Sequence, residues 1–72
     1  MIKKIAILGS TGSIGTQALE LIRNNDKFNV SYLSAHSNFK LLAEQAVEFC
    51  VESICISDSQ YLEPLKLSLI HI

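Results

Sequence analysis

The sequence predicts an α/β fold in which parallel strands alternate with helices in the order β-α-β-α-β. Three short apolar runs are spaced along the chain, and each of the first two is followed by a segment with helical periodicity. A glycine-rich turn joins the first run to the first amphipathic segment. Strand–helix–strand units of this length cross over right-handed between parallel strands, so the three runs are expected to form one parallel sheet.

The first strand is expected at about residues 4–8, where the apolar run does not alternate with polar residues. This is typical of a central strand in a parallel sheet, which is covered on both faces. The turn after it, from Gly9 to Gly15, reads Gly-Ser-Thr-Gly-Ser-Ile-Gly and contains every glycine of the chain. Its spacing differs by one residue from the Gly-x-Gly-x-x-Gly fingerprint of dinucleotide-binding proteins, and no Gly-Lys-Ser/Thr follows as it would in a triphosphate P-loop.

The glycine turn is predicted to bind phosphate. The first N–H groups of a helix have no partner inside the helix and point outward with the positive end of the helix dipole. Gly9 allows the tight turn, Gly12 lets a pyrophosphate approach the backbone, and Gly15 lets the helix pack closely on the strand. Three hydroxyl side chains offer donors to phosphate oxygens, and one of them is expected to cap the helix. They are those of Ser10, Thr11 and Ser13. The alternative is a tight turn that binds nothing.

The first helix is expected at about residues 14–24 and the second strand at about residues 28–34. Asn24-Asn25-Asp26 ends the helix, because these side chains compete with helical backbone hydrogen bonds. Four apolar side chains of the helix fall on one stripe at helical spacing and are predicted to face the core. They are Ile14, Ala18, Leu21 and Ile22.

The second helix is expected at about residues 39–48 and the third strand at about residues 53–57. The helix carries an apolar stripe at helical spacing, which is interpreted as core rather than as a binding surface. The stripe comprises Leu42, Ala46 and Phe49.

A further short helix is expected after the third strand. Ser57 and Gln60 have capping-box spacing, and Asp58 is interpreted as a capping or turn residue. Pro64 either starts this helix in its first turn or bends it. Residues 67–72 alternate weakly like a strand but have no turn signal after them, so no element is predicted there.

Length and composition favour part of a domain rather than a whole enzyme. The chain has 72 residues, of which 49% are hydrophobic, and a chain of about 60 to 70 residues buries only about 60% of its unfolded surface. These values fit the first half of a Rossmann-like, doubly wound sheet. We therefore expect a partial nucleotide-binding domain over residues 1–72, with catalytic and C-terminal domains absent from this sequence.

The charge pattern argues against nucleic acid and against an anionic membrane as partners. The net charge is −1, and the six basic residues are not clustered on one face. Lys3 and Lys4 precede an apolar run as in a signal peptide, but Gly9 ends the run short of the roughly seven to fifteen residues that such a peptide needs. No apolar stretch has membrane-spanning length. A cytoplasmic location is expected.

The two cysteines, Cys50 and Cys55, do not predict a metal site. Four residues separate them, and the sequence has no second Cys or His pair at zinc spacing. They are interpreted as two small buried thiols in a reducing compartment.

The segment after the second strand favours NADP over NAD. It reads Ser34-Ala35-His36-Ser37-Asn38, with Lys40 soon after. In dinucleotide sites an acidic residue here binds the adenosine ribose, whereas NADP sites have groups that tolerate a 2′-phosphate. No acid is present. Ser37 or Asn38 is also expected to cap the next helix, and the two roles are compatible. His36 is interpreted as a loop histidine.

Three segments resemble the amino terminus of 1-deoxy-D-xylulose 5-phosphate reductoisomerases. The first is Ile5-Ala6-Ile7-Leu8-Gly9-Ser10-Thr11-Gly12-Ser13-Ile14-Gly15, the second is Leu33-Ser34-Ala35 with Asn38, and the third is Leu41-Leu42-Ala43-Glu44-Gln45-Ala46. The match runs from about Lys3 to Asp58. The Gly-Ser-Thr-Gly-Ser-Ile-Gly run is more specific for that family than a generic glycine pattern.

The resemblance implies an NADPH-dependent oxidoreductase and isomerase of isoprenoid synthesis. Such an enzyme rearranges 1-deoxy-D-xylulose 5-phosphate and reduces the resulting aldehyde to 2-C-methyl-D-erythritol 4-phosphate. It uses a divalent metal, Mg²⁺ or Mn²⁺, and forms a homodimer at full length. This chain would be the first half of the NADPH domain and inactive alone. The resemblance places Thr11, Gly12, Ser13 and Ile14 at the cofactor diphosphate, and Ser37 and Asn38 at the adenosine 2′-phosphate.

The chain departs from the family pattern in two ways. His36 stands where the family usually has glycine, and a side chain there either crowds the ribose or, when protonated, adds a phosphate contact. The metal carboxylates, substrate-phosphate residues and catalytic loop of the family lie far beyond position 72, so no catalytic or metal-binding residue is assigned here. The alternatives are the start of another NADP-dependent dehydrogenase, of the aspartate-semialdehyde or extended short-chain type, and a truncated nucleotide-binding module without activity.

Overall fold

The computed structural model describes residues 2–70 and confirms the predicted alternation of strands and helices. Three parallel strands lie in the order β1-β2-β3. The elements in chain order are β1 Lys3–Leu8, α1 Ser13–Arg23, β2 Phe28–Ala35, α2 Phe39–Glu48, β3 Ser53–Ile56, a 3₁₀ turn Ser59–Tyr61 and α3 Leu62–Ile70. Within residues 2–70, no helix has the length and apolar character needed to cross a membrane.

The register of the sheet brings the carboxyl ends of its strands to one edge. Leu8 at the end of β1 pairs with Ser34 of β2, and Ser34 pairs with Cys55 of β3. The register between β1 and β2 shifts after Ile5, and the Ser31 hydroxyl donates to the Ile5 carbonyl across this irregularity at 3.2 Å. The glycine turn after β1 therefore lies beside the loop after β2.

The core lies on the face of the sheet that carries the helices. Both crossovers step in the same direction along the sheet, and right-handed crossovers then place α1 and α2 on the same face. Buried side chains from strands and helices meet there in one cluster. Its members are Ile7, Leu19, Val30, Leu33, Ala35, Leu42, Ala43, Ile56 and Leu65. On the opposite face Leu8 is 75% exposed.

The predicted core stripe of α1 is wrong in part. Ile14 and Leu21 are 82% and 80% exposed, whereas Gly15 and Leu19 are the buried residues of the helix. Ala18 and Ile22 pack against the core as predicted. The helix carries two neighbouring apolar stripes, and the sheet covers the one through Gly15 and Leu19.

The prediction of buried thiols is wrong, because Cys50 and Cys55 are both exposed. Cys55 projects from β3 on the face of the sheet that the helices do not cover. Cys50 follows α2 in the left-handed region, with φ at 52°. There the Cys50 N–H donates to Val47 O at 3.3 Å and the Val51 N–H donates to Ala46 O at 3.2 Å. This pair of bonds is the Schellman motif, whose left-handed position favours glycine.

Cys50→Gly is expected to stabilise the chain by about 0.5 to 1 kcal/mol. A residue with a Cβ is sterically strained at positive φ, whereas glycine is not. Glycine loses more conformational freedom on folding, which offsets part of the gain in stability. For a domain of this size the change raises the melting temperature by about 2 to 8 °C. Thermal unfolding followed by circular dichroism measures it, and Cys55→Gly is the control because Cys55 lies in an extended strand. A lower melting temperature for Cys50→Gly would contradict the left-handed assignment.

Residues 67–70 are helical where the sequence predicted no element. Asp58, not Ser57, caps the 3₁₀ turn by accepting from the Gln60 N–H at 3.3 Å. The capping-box interpretation of Ser57 is therefore wrong and that of Asp58 as a capping residue is confirmed. Pro64 lies in the first turn of α3, where its missing N–H is tolerated. α3 runs to Ile70, and positions 71–72 lie outside the described residues.

Candidate phosphate-binding site

The turn between β1 and α1 depends on two glycines for its shape. Gly9 has φ at +72°, in the left-handed region. The Gly12 N–H donates to Gly9 O at 3.1 Å and closes the turn. A Cβ on Gly15 would lie 2.2 Å from Gly9 O and 2.7 Å from the Ser10 Cα, so α1 approaches the turn as closely as backbones permit. The predicted roles of Gly9 and Gly15 in the turn are confirmed.

The amino end of α1 is left without a side-chain cap. Gly12 is the N-cap residue, and no side chain accepts from the first N–H groups of the helix. The prediction that a turn hydroxyl caps α1 is therefore wrong. The first helical bond runs from the Thr16 N–H to Gly12 O at 2.9 Å, and Gly12, Ser13 and Ile14 are exposed. The N–H groups of the exposed residues Ser13 and Ile14 lie in this first turn with the positive end of the helix dipole, which favours an anion.

Ser10 is a buried structural residue and not a phosphate donor. It is 0% exposed, and its hydroxyl donates to the Gln45 Oε1 at 2.8 Å. Its N–H donates to Ser34 O at 2.8 Å and its carbonyl accepts from the Gln45 Nε2 at 2.9 Å. Two of the three predicted hydroxyl donors therefore remain, those of the half-buried Thr11 and the exposed Ser13.

Gln45 is the site residue that the sequence analysis missed. It lies on α2 between Leu42 and Ala46, in the buried stripe, and is 5% exposed. A polar residue on an apolar stripe indicates a buried hydrogen-bond partner, because an unpaired amide in the core costs about 1 to 3 kcal/mol. That signal was available in the sequence, but the identity of the partner was not.

The loop after β2 forms the second part of the candidate site. The Gly9 N–H donates to the Ser34 hydroxyl at 3.3 Å, which joins the glycine turn to the end of β2. His36, Ser37 and Asn38 are exposed in this loop. The Asn38 Oδ1 accepts from the Leu41 N–H at 3.3 Å, so Asn38 caps α2 as predicted and its Nδ2 is directed away from that bond.

A carboxylate lies next to this loop at the end of β3. The Asp58 N–H donates to His36 O at 3.0 Å. Hydrogen bonds from the Gln60 side chain and, to a lesser extent, from its backbone lower the pKa of Asp58, and His36 lowers it slightly further. Asp58 therefore stays ionised at neutral pH beside the loop that is predicted to bind the adenosine 2′-phosphate.

The structure brings the predicted residues together at one edge of the sheet in two groups. The residues predicted to contact the diphosphate, Thr11 to Ile14, follow β1. Ser37 and Asn38, predicted to lie at the 2′-phosphate, follow β2, the neighbouring strand. A groove of about 410 Å³ is lined by Gly12, Ser13 and Ile14 together with residues of β1 and α1. Two larger grooves, of about 550 and 510 Å³, involve Arg23 and Glu48, away from the glycine turn. The candidate site is nevertheless placed at the glycine turn, because the exposed amino end of α1 favours an anion there.

The charges near Arg23 form a structural cluster. Arg23 pairs with Glu48 and Glu20 and lies over the Phe49 ring, 5.6 Å from its centroid. Its hydrogen bonds lower the pKa of Glu48. Within residues 2–70, no three His, Cys, Asp or Glu side chains are grouped closely enough to hold a metal ion.

Known proteins match the chain over nearly its whole length. A model of the 1-deoxy-D-xylulose 5-phosphate reductoisomerase family matches residues 5–71. The chain is 52% identical over 64 residues to the enzyme of that name from Lachnoclostridium phytofermentans, covering 89% of this chain and 16% of the relative. It is 49% identical over 67 residues to the Synechocystis enzyme of the same name, covering 92% of this chain and 17% of the relative. The chain thus spans about one sixth of the length of these relatives.

Two solved structures share the fold. One is the reductoisomerase from Zymomonas mobilis in complex with NADPH, with a TM-score of 0.93 and 35% identity over 99% of this chain and 19% of that chain. The other is a reductoisomerase in complex with magnesium, with a TM-score of 0.88 and 32% identity over 99% of this chain and 18% of that chain. The three strands with their crossovers therefore belong to a Rossmann-like domain, as predicted.

Proposed function

We propose, from the premise that this chain belongs to the 1-deoxy-D-xylulose 5-phosphate reductoisomerase family, that residues 2–70 form part of an NADPH-binding domain. The observation that carries the proposal is the uncapped amino end of α1, held open above a turn that only glycine can form. Its N–H groups and its dipole suit the diphosphate of a dinucleotide. The likeness to a Zymomonas mobilis structure in complex with NADPH supports the same ligand.

Four residues are proposed to bind the cofactor diphosphate. Ser13 and Ile14 offer backbone N–H groups at the start of α1, and their exposure leaves room for an anion. The Gly12 N–H is used by Gly9 O, so Gly12 contributes an exposed backbone without a side chain, which a diphosphate can approach closely. The hydroxyls of Thr11 and Ser13 add donors, which phosphate oxygens accept. The residues proposed for the diphosphate are thus Thr11, Gly12, Ser13 and Ile14.

Ser37 and Asn38 are proposed to bind the adenosine 2′-phosphate. Both are exposed after β2, and the Asn38 Oδ1 is already used by the Leu41 N–H, so its Nδ2 is the part that would donate. No carboxylate occupies the end of β2, where NAD sites place one. Asp58 lies one strand further, and its negative charge would disfavour a phosphate placed towards β3. The 2′-phosphate is therefore assigned to the side of the loop nearer the glycine turn.

The whole reaction is proposed for the enzyme to which this segment belongs. When bound, NADPH supplies the hydride for the reduction. The described residues would hold the cofactor, and other parts of the enzyme would hold the divalent metal and 1-deoxy-D-xylulose 5-phosphate. Residues 1–72 are thus proposed as a partial NADPH domain, with catalytic and C-terminal domains supplied by further sequence. A homodimer, implied by the resemblance, and a cytoplasmic location, expected from the sequence, stay predictions.

Titration of the chain with NADPH and with NADH, followed by nicotinamide fluorescence, tests the proposal. We expect binding of both, with NADPH favoured about tenfold, because the 2′-phosphate adds hydrogen bonds to charged oxygens. Ser37→Ala is expected to weaken NADPH binding while leaving NADH binding unchanged. Ser57→Ala, in the loop after β3, is the matched control. A circular dichroism spectrum of each sample shows whether the chain is folded, and a folded chain that binds neither cofactor would contradict the proposal.

A further inference from the structure

We propose that Gln45 is a positioning residue of the phosphate-binding turn: its side-chain amide fixes the Ser10 peptide in the orientation that the cofactor diphosphate requires. The inference rests on the proposed function, because the turn is positioned for that ligand. Gln45 lies on α2 and has no place in the cofactor contacts proposed above. It acts through Ser10, which is itself buried and does not touch the ligand.

The Gln45 amide uses both of its ends on one residue of the turn. Its Nε2 donates to Ser10 O at 2.9 Å, and its Oε1 accepts from the Ser10 hydroxyl at 2.8 Å. Ser10 and Gln45 are the two buried polar residues within residues 2–70. A buried amide is stable only when its donor and acceptor are both paired, so this pair is possible in only one relative orientation.

Fixing the Ser10 carbonyl also fixes the direction of the next N–H group. The peptide that joins Ser10 to Thr11 is planar, with its N–H opposite its carbonyl. Since the Ser10 carbonyl points at Gln45 on α2, the Thr11 N–H points away from α2. On its other side, Ser10 donates its N–H to Ser34 O of β2 at 2.8 Å. The start of the turn is therefore held from both α2 and β2.

Filling space in the core would not by itself need an amide at this position. Gln45 lies in the buried stripe of α2 beside Leu42 and Ala46, where an apolar side chain of similar volume would fill the same space. The amide adds two directional hydrogen bonds, and both of them are made to Ser10. Because neither bond is made to another core residue, we assign the role of Gln45 to the turn.

Gln45→Glu tests the proposal because its effect depends on pH. In its ionised form, the introduced carboxylate would accept from the Ser10 hydroxyl but would repel Ser10 O, whereas the protonated carboxyl could donate to that carbonyl again. Burial raises the pKa of such a group, so protonation is expected within an accessible pH range. The dissociation constant of NADP⁺, measured by calorimetry, is expected to exceed that of the parent chain about tenfold at pH 8. At pH 5 the ratio of the variant's dissociation constant to that of the parent chain is expected to approach one.

The parent chain is measured at every pH, so that pH effects common to both chains, including titration of the cofactor phosphate, cancel in the ratio of the two dissociation constants. Gln17→Glu, at an exposed position of α1, changes the net charge equally and is the matched control. Its ratio is expected to stay near one throughout. Circular dichroism at each pH shows that the compared chains are folded. A folded Gln45→Glu variant that binds like the parent at pH 8 would overturn the proposal.

Amide hydrogen exchange without cofactor gives a second readout, using Gln45→Met, which keeps the volume but loses both bonds. We expect exchange at Ser10 and Gly12 to accelerate at least about tenfold, while Leu33 in the core strand stays protected. Equal acceleration at all three positions would show a global role and overturn the proposal, as would no change in the turn. If the parent chain binds no cofactor, the proposed function fails, and the exchange result still decides whether Gln45 positions the turn.

Discussion

The Gly15→Ala variant is expected to lose its cooperative thermal transition. A Cβ at this position would lie 2.2 Å from Gly9 O and 2.7 Å from the Ser10 Cα. Both contacts are to backbone, which cannot move aside as a flexible side chain can. Relief requires α1 to shift away from the turn and from the buried side chain of Leu19, at a cost of about 3 kcal/mol or more.

That cost is comparable with the whole stability expected of a domain of this size, about 3 to 5 kcal/mol. Circular dichroism during heating measures the loss. Gly12→Ala is the matched control, because the same added methyl group would meet Gly9 O at an ordinary 3.5 Å. A Gly15→Ala chain that unfolds as sharply as Gly12→Ala would contradict the close approach of α1 to the turn.

The boundaries of the elements could be predicted from the sequence because local chemistry sets them. Gly9 ends β1 by allowing a left-handed conformation, and Asn24 follows the last residue of α1. Asn38 caps α2 through its own side chain. Each of these signals acts over a few residues. The limits of the strands and helices from β1 to β3 accordingly fall close to those predicted.

The exposure of side chains could not be predicted, because it depends on which surfaces other elements cover. α1 carries two apolar stripes, and the sequence does not say which one the sheet covers; the stripe containing Ile14 and Leu21 is the exposed one. Cys55 was interpreted as a small buried thiol, but it is exposed, because the described helices cover one face of this sheet. In both cases the error lies in the tertiary arrangement and not in the type of element.

The Ser10–Gln45 hydrogen bonds that hold the glycine turn could not be predicted for a different reason. Ser10 and Gln45 are 35 residues apart, so no local pattern connects them. The glycine pattern predicted a phosphate-binding turn and assigned a ligand role to every hydroxyl in it. Burial then separates these hydroxyls by function, since Ser10 is 0% exposed and bonded within the protein. The motif therefore does not by itself predict which of its hydroxyl side chains are exposed to a ligand.

The Gly12→Asp variant is expected to separate stability from binding, because its two effects have opposite signs. Gly12 is the N-cap of α1, has an extended backbone with φ at −77° and ψ at 174°, and lacks a side-chain cap. Aspartate is among the preferred N-cap residues and also interacts favourably with the helix dipole. The variant is therefore expected to gain about 0.5 kcal/mol in free energy of unfolding. Thermal unfolding measures that gain.

The same carboxylate would occupy the place proposed for the cofactor diphosphate. Two unit charges about 4 Å apart repel by about 4 kcal/mol at an effective dielectric constant near 20, so NADPH binding is expected to weaken at least about 100-fold. Gly12→Asn is the control, since it supplies a similar cap without the charge, and the difference between the two variants isolates the repulsion. If Gly12→Asp is more stable and still binds NADPH like the parent chain, the diphosphate does not bind at the amino end of α1. If it binds less well only because it is unfolded, the N-cap geometry is wrong instead.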